Sequence, residues 1–172
     1  MPLHILLTGK PRTGKTTLIK KIVKDLKHSC GGFYTEEITE DEKRVGFKIK
    51  TFEGREGILA LHGLRSRLRL GKYGINIKDL EEIGVKAIEE ALENNEIVII
   101  DEIGKMELFS EKFKDIVLKT LDSEKRLIGV IHLADLGFLN SIRVRRDVAI
   151  FEVEIGNHEK ILEKINSLIS SP

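Results

Sequence analysis

The chain has 172 residues and a formal net charge of +1, from 29 basic and 28 acidic side chains. With 41% apolar residues it has enough material for one domain with a sizeable core, which excludes a disordered chain, and the near-cancelled charge excludes a global pull towards nucleic acid or anionic membrane. No apolar run reaches the roughly 18 residues of a bilayer span, and the single cysteine, Cys30, excludes an internal disulfide. A single-domain monomer in a reducing cytoplasm is the expectation. Charged residues reach 33%, and neither Trp nor Gln occurs, a bias towards life at high temperature.

In chain order, residues 3–8 form a short apolar run ended by Gly9, the pattern of a buried strand, with no signal peptide expected before it. Gly9, Lys10, Pro11, Arg12, Thr13, Gly14, Lys15 and Thr16 then fit G-x-x-x-x-G-K-[ST], and Thr17 follows. Glycines let the backbone curl so that its N–H groups point inward, and a helix N-terminus adds its positive end. Lys15 reaches the β- and γ-phosphates in such a loop, and the Thr16 hydroxyl binds Mg2+. Helical spacing of Leu18, Ile19, Ile22, Val23 and Leu26 predicts a helix from Thr16 to about Ser29.

Residues 31–63 are rich in β-branched and aromatic side chains, with turn candidates "TEDEK" and "EGREG". An antiparallel meander of about three strands is expected. Residues 64–76 show no clear element. A helix is predicted from Lys78 to about Glu93, then a buried strand in "EIVIIDEIG". Ser110 is placed to cap a helix over 111–122. "RLIGVIH" is a further buried strand, "LGFLNSIRVRR" a loop or short helix, and "VAIFEVE" a last strand. Asn157 is read as the cap of a C-terminal helix to about Leu168. Strands alternating with helices imply a parallel sheet, with the meander as insertion or extension.

Two acids, Asp101 and Glu102, end the apolar run "IVII". Charges do not stay inside a buried strand, so the pair belongs at its C-terminal end, where parallel sheets bind ligands. Asp101 then supports Mg2+, and Glu102 faces the γ-phosphate and polarises a water. A chain without glutamine has no residue of the type that orients water in switch GTPases, so a carboxylate or histidine must serve. Lys105 either stabilises phosphoryl charge or pairs with Glu107. His132 either senses the γ-phosphate or is an ordinary loop histidine. Arg143, Arg145 and Arg146 are candidates for an arginine finger, against a surface role. Arg65, Arg67, Arg69 and Lys72 form a basic loop that closes over nucleotide, binds a polyanion or is simply solvated. Tyr73 and Phe138 either stack on a base or pack in the core.

The segments "LTGKPRTGKTTL", "GGFYTEEI", "RVGFKI", "GKYGINI", "IVIIDEIGKMEL" and "RRDVAIFEV" with Asn157 resemble the small P-loop nucleoside-triphosphatase family of thermophiles and vertebrates, over essentially the whole chain. The resemblance implies a three-layer α/β domain, RecA- or AAA-like, with a mostly parallel central sheet plus an antiparallel meander. It also implies slow, Mg2+-dependent hydrolysis of ATP, GTP, CTP and UTP to diphosphates. On this reading Lys15, Glu102 and Lys105 are catalytic, Gly9 to Thr17 with Asp101 and Glu102 hold the nucleotide, and Thr16 and Asp101 hold the metal. Relatives often carry arginine after the asparagine matching Asn157, where this chain has His158. A small-molecule or nucleotide kinase and an NTP-dependent nucleic-acid binder are the competing functions.

Overall fold

The computed structural model describes residues 2–170. Among the described residues nine strands, numbered in chain order, form one continuous sheet in the order β5-β6-β4-β3-β2-β7-β8-β1-β9. Five of them are parallel: β1 (His4–Thr8), β2 (Cys30–Glu40), β7 (Ile97–Ile103), β8 (Arg126–Ile131) and β9 (Val148–Glu152). Numbered in chain order, these stand 5-1-4-3-2, the RecA-like arrangement.

Alternation of side chains across β1 and β7 divides the core between two faces. Ile5, Leu7, Ile97 and Ile99 pack against Leu18, Ile19 and Ile22 of α1 (Lys15–Asp25) and Ile161 and Ile165 of α6 (His158–Ser170). Leu6, Val98 and Ile100 face the other way, towards Ile88 of α3 (Lys86–Asn94), Phe113 and Val117 of α4 (Glu111–Leu121) and Leu139 and Ile142 of α5 (Gly137–Arg143). Burial on both faces is why these strands read as unbroken apolar runs. Gly32, with φ +112°, lets β2 lie close to β7: a Cβ there would stand 2.0 Å from the Ile99 carbonyl oxygen.

The antiparallel half continues from β2 through β3 (Lys43–Thr51) and β4 (Glu56–His62). Asp41 and Glu42, both at positive φ (48° and 64°), make the first turn, as a two-residue hairpin demands. The meander is longer than expected. Residues 64–76 supply two short strands, β5 (Arg69–Leu70) and β6 (Tyr73–Ile75), and β6 pairs with β4. The Ser66 hydroxyl donates to the Ile75 carbonyl (2.7 Å), and the Arg69 guanidinium donates to the Leu64 and Lys72 carbonyls (both 3.1 Å). Side chains thus close this segment where composition suggested only a loop.

Three helix expectations need correction. The first helix stops at Asp25, because Leu26 is extended (ψ 137°) and leads towards β2. The helix expected from Lys78 has three parts: α2 (Ile77–Asp79), a π-helical segment Leu80–Val85, and α3. Asn157 precedes α6 and its carbonyl accepts the Ile161 N–H (3.1 Å), but its side chain does not cap. It turns back, accepting from Glu154 N (2.9 Å) and donating to the Glu152 carbonyl (3.0 Å). Ser110 does cap α4, accepting from Phe113 N at 3.0 Å.

Candidate active site

The phosphate-loop sequence forms the turn between β1 and α1, at the C-terminal edge of the parallel strands. Gly9 (φ +148°) and Gly14 (φ +88°) adopt conformations that other residues rarely take, and Arg12 joins them at φ +64°. Close neighbours reinforce the requirement for glycine. A Cβ on Gly9 would lie 2.6 Å from the Val153 carbonyl oxygen, and one on Gly14 would lie 2.5 Å from the His158 ring. His158 Nε2–H donates to the Thr13 carbonyl at 2.6 Å. His158 therefore buttresses the loop from the start of α6.

Within the loop, the Thr13 hydroxyl donates to the Lys10 carbonyl (2.9 Å). The Lys15 ammonium donates to the carbonyls of Gly9 and, at 3.0 Å, Lys10. Lys10, Pro11, Arg12 and Thr17 are exposed, while Thr16 is half-buried beside the end of β7.

β7 delivers Asp101 and Glu102 to the same place. Asp101 is 2% exposed, and its Oδ2 has no partner. Burial pushes its carboxyl up to about 7, against the opposing pull of the Thr16 hydroxyl and the Lys15 charge. Glu102 is half-buried; burial raises its pKa too, and Lys15 opposes. Thr8 Oγ1, at the end of β1, is a second buried oxygen without a partner.

This donor set fits Mg2+. The groups are hard oxygens, and one is a buried carboxylate oxygen lacking any protein partner. Among the described residues no group of three or more His, Cys, Asp or Glu forms a metal cage. Mg2+ needs none, because one or two carboxylates plus substrate phosphates suffice.

The buried Asp101 carries a stability cost with a definite sign. Its folded pKa lies above the unfolded value of 3.8, so the folded chain binds more protons between about pH 4 and pH 7. Its contribution is full below about pH 4 and is lost as pH rises through about 7. In metal-free buffer at pH 8, Asp101→Asn is therefore expected to raise stability by up to ~4 kcal/mol, and Tm by several degrees. At pH 4 it should change Tm little. Thermal melts at the two pH values check this, and equal shifts at both would contradict it.

In the sequence Glu107 reads only as a possible partner for Lys105. It is 2% exposed, Oε2 has no partner, and its pKa stands well above the usual carboxylate range. Burial is the first cause and the neighbouring Glu102 the second. Gly104 lies between the two glutamates: a Cβ on it would be 2.7 Å from Glu102 Oε1 and 3.1 Å from Glu107 Oε2. Lys105 is exposed at the rim of the cleft and pairs with neither.

His132 follows β8 and lines the cleft. Burial lowers its pKa, helped by Lys105, Lys15 and Arg143. Ala134 N–H donates to Nδ1 (3.0 Å), so the neutral ring carries its proton on Nε2.

The arginines separate. Arg143 donates to the His132, Ala134 (2.9 Å) and Asn140 (2.7 Å) oxygens, so it braces the loop after β8. Arg145 pairs with Asp122 and Asp147, both at 2.9 Å, at the opposite edge of the sheet, beside the starts of β8 and β9. The exposed Arg146 follows it there. Arg69 is tied to carbonyls, whereas Arg65 and Arg67 are exposed. Phe138 packs on the core, while Tyr73 lines the cleft and accepts from Arg44 Nε (3.1 Å). Burial raises the Cys30 thiol to about 11, which keeps it unreactive.

A glycine-framed loop on a helix N-terminus, opposite an acidic strand end in a 5-1-4-3-2 sheet, defines a P-loop nucleotide-binding protein of the RecA-like class. The family model described as NTPase matches residues 4–166, and the chain belongs to that family. It is 51% identical to the nucleoside-triphosphatase THEP1 of Thermotoga maritima over 167 residues, 97% of this chain and 95% of the relative. It is 35% identical to the mouse cancer-related nucleoside-triphosphatase homolog over 187 residues, 99% and 98% of the two chains. The crystal structure of THEP1 from the hyperthermophile Aquifex aeolicus superposes with a TM-score of 0.87 at 38% identity, covering 98% of this chain and 99% of that one. The solution structure of a human cancer-related nucleoside triphosphatase gives 0.82 at 34% identity, covering 97% of each. Membership places the chain among nucleoside-triphosphatase enzymes.

Proposed function

We propose that the protein hydrolyses nucleoside 5′-triphosphates to diphosphate and phosphate, with Mg2+, little base preference and slow turnover. One observation carries this reading: Lys15, Thr16, Asp101 and Glu102 meet in a single cleft of about 1040 Å3. Loop amides and Lys15 hold the phosphate tail, and Thr16 and Asp101 hold the metal. Bound there, Mg2+ would neutralise charge on the phosphate oxygens. Glu102 orients a water in line with the γ-phosphorus and takes its proton. The Nε2–H of neutral His132 donates to a γ-phosphate oxygen, and Lys105 adds positive potential at the rim. Catalysis of this kind is positioning plus charge stabilisation.

The binding groups address phosphate rather than a base, which supports broad base tolerance. Arg143 and Arg145 are held by carbonyls and carboxylates, which supports slow turnover without a finger. Those same bonds remove two arginines from any nucleic-acid surface. No described helix is long and apolar enough to cross a membrane. We place the protein in the cytoplasm as a monomer.

The test is phosphate release from ATP, GTP, CTP and UTP, with Mg2+ and with chelator. Release from all four is expected to agree within ~10-fold and to fall to background with chelator. Release that persists unchanged in chelator would overturn the metal assignment, and no release from any would overturn the activity.

A further inference from the structure

The cleft is larger than a hydrolase needs. A phosphate tail in the loop has a direction: the amides cradle the α- and β-phosphates, and Lys15 marks the γ end. Asp101 and Glu102 stand at that γ end. The cleft does not stop there. It runs on past Glu102 to the antiparallel half of the sheet, where Phe47, Leu59, His62, Leu70, Tyr73 and Met106 line it. On that polarity a nucleoside attached at the α end would lie away from Glu102, leaving this far half to a second ligand. A single water beside the γ-phosphate has no use for it.

Its lining suits a planar ring. Tyr73 stands with its centroid 4.6 Å from the His62 ring and 5.6 Å from Phe47, and all three are only half-buried. Such faces stack on flat ligands. A second observation points to the same occupant. Glu107 also lines this cleft, with a carboxyl 2% exposed and an oxygen that no protein group satisfies. A buried polar oxygen without a partner is costly, and a ligand hydroxyl or ring N–H entering the cleft would satisfy it.

We propose that the cleft between Glu102 and the Phe47–His62–Tyr73 cluster binds a nucleoside-sized, ring-bearing alcohol as phosphoryl acceptor. The inference rests on the phosphate-loop reading above. The acceptor's hydroxyl takes the place of the attacking water. Its oxygen forms a bond to the γ-phosphorus as the bond to the β–γ bridging oxygen breaks. The hydroxyl proton passes to Glu102, and nucleoside diphosphate leaves. Water serves as the fallback nucleophile when the acceptor site is empty.

The experiment incubates the protein with Mg2+ and ATP labelled in the γ-phosphate, with adenosine, guanosine, cytidine, uridine or thymidine in turn. Label is read in the nucleoside and in inorganic phosphate. With at least one nucleoside, label in the monophosphate should exceed label in free phosphate by tenfold or more. Leu70→Trp, which fills the far half from a half-buried strand position, should lower that ratio tenfold or more. Tyr73→Leu should do the same by removing a stacking face, and it serves if the tryptophan variant fails to fold. Phosphate release without transfer to any nucleoside would overturn the acceptor site while leaving the hydrolase intact. Transfer whose ratio neither variant changes would overturn its location. No phosphate release without nucleoside would strike the hydrolase reading instead.

Discussion

Glu102→Gln is expected to lower kcat by ~10²–10⁴-fold, with ATP affinity unchanged or slightly tighter. Glutamine keeps the shape and can still accept a hydrogen bond from water, but it cannot take the proton. On the proposed reading it would also remove a negative charge from beside the γ-phosphate, where a carboxylate repels the substrate. Burial raises the Glu102 pKa and the Lys15 ammonium opposes it. The net shift is upward, which makes Glu102 a stronger base than a solvated glutamate. Single-turnover phosphate release and a nucleotide titration separate the two effects. Hydrolysis within threefold of wild type would remove Glu102 from the mechanism.

Lys15→Ala is expected to cost ~10²–10³-fold or more in kcat/KM, through both weaker binding and slower chemistry. The ammonium bonds to the Gly9 and Lys10 carbonyls, which places it at the mouth of the loop. From there a small rotation of its flexible stem would bring it to a phosphate held by the loop. The Lys10 carbonyl is exposed and the bond to the Gly9 carbonyl only part-buried, so the fold depends little on the lysine, and Tm should stay within about 2 °C of wild type. Lys15→Arg should rescue little, because a planar fork does not fit where a compact point charge enters a narrow loop. Full binding by the alanine variant would show that the loop amides alone hold the tail.

The parts of this site that the sequence displayed are those whose chemistry is local. A glycine–lysine spacing forces one turn, so the placement of Gly9 to Thr16 follows from the sequence. An acid pair after four apolar residues has one stable location, and Asp101 and Glu102 occupy it. The central strands were equally plain, because burial on both faces leaves an unbroken apolar run. Other features depend on tertiary contacts. Glu107 looks like a surface residue in "KMEL", and only the packing of the turn over Gly104 buries it. β5 and β6 arise from bonds made by Ser66 and Arg69, in a stretch whose composition signals loop. His158 reaches Thr13 across 145 positions, a partnership no local pattern announces. Arg143 and Arg145 carry the same side chain two positions apart, and only their partners tell bracing from ion pairing.

The position of β1 between β8 and β9 has a consequence for how the protein is made. Of the described strands β1 is made before the two that border it, β8 and β9, which are the last two in chain order, and synthesis of the intervening chain takes on the order of ten seconds. Until then β1 has no neighbour on either side, and Gly9 and Thr13 lack the carbonyl and histidine that frame them. Long-range pairing of this kind slows folding and leaves apolar edges open meanwhile. The phosphate-loop turn is thus made before β8 and β9 and is framed only after them. A chain that stops before β9 carries the whole motif without the Val153 carbonyl and the His158 ring that frame it.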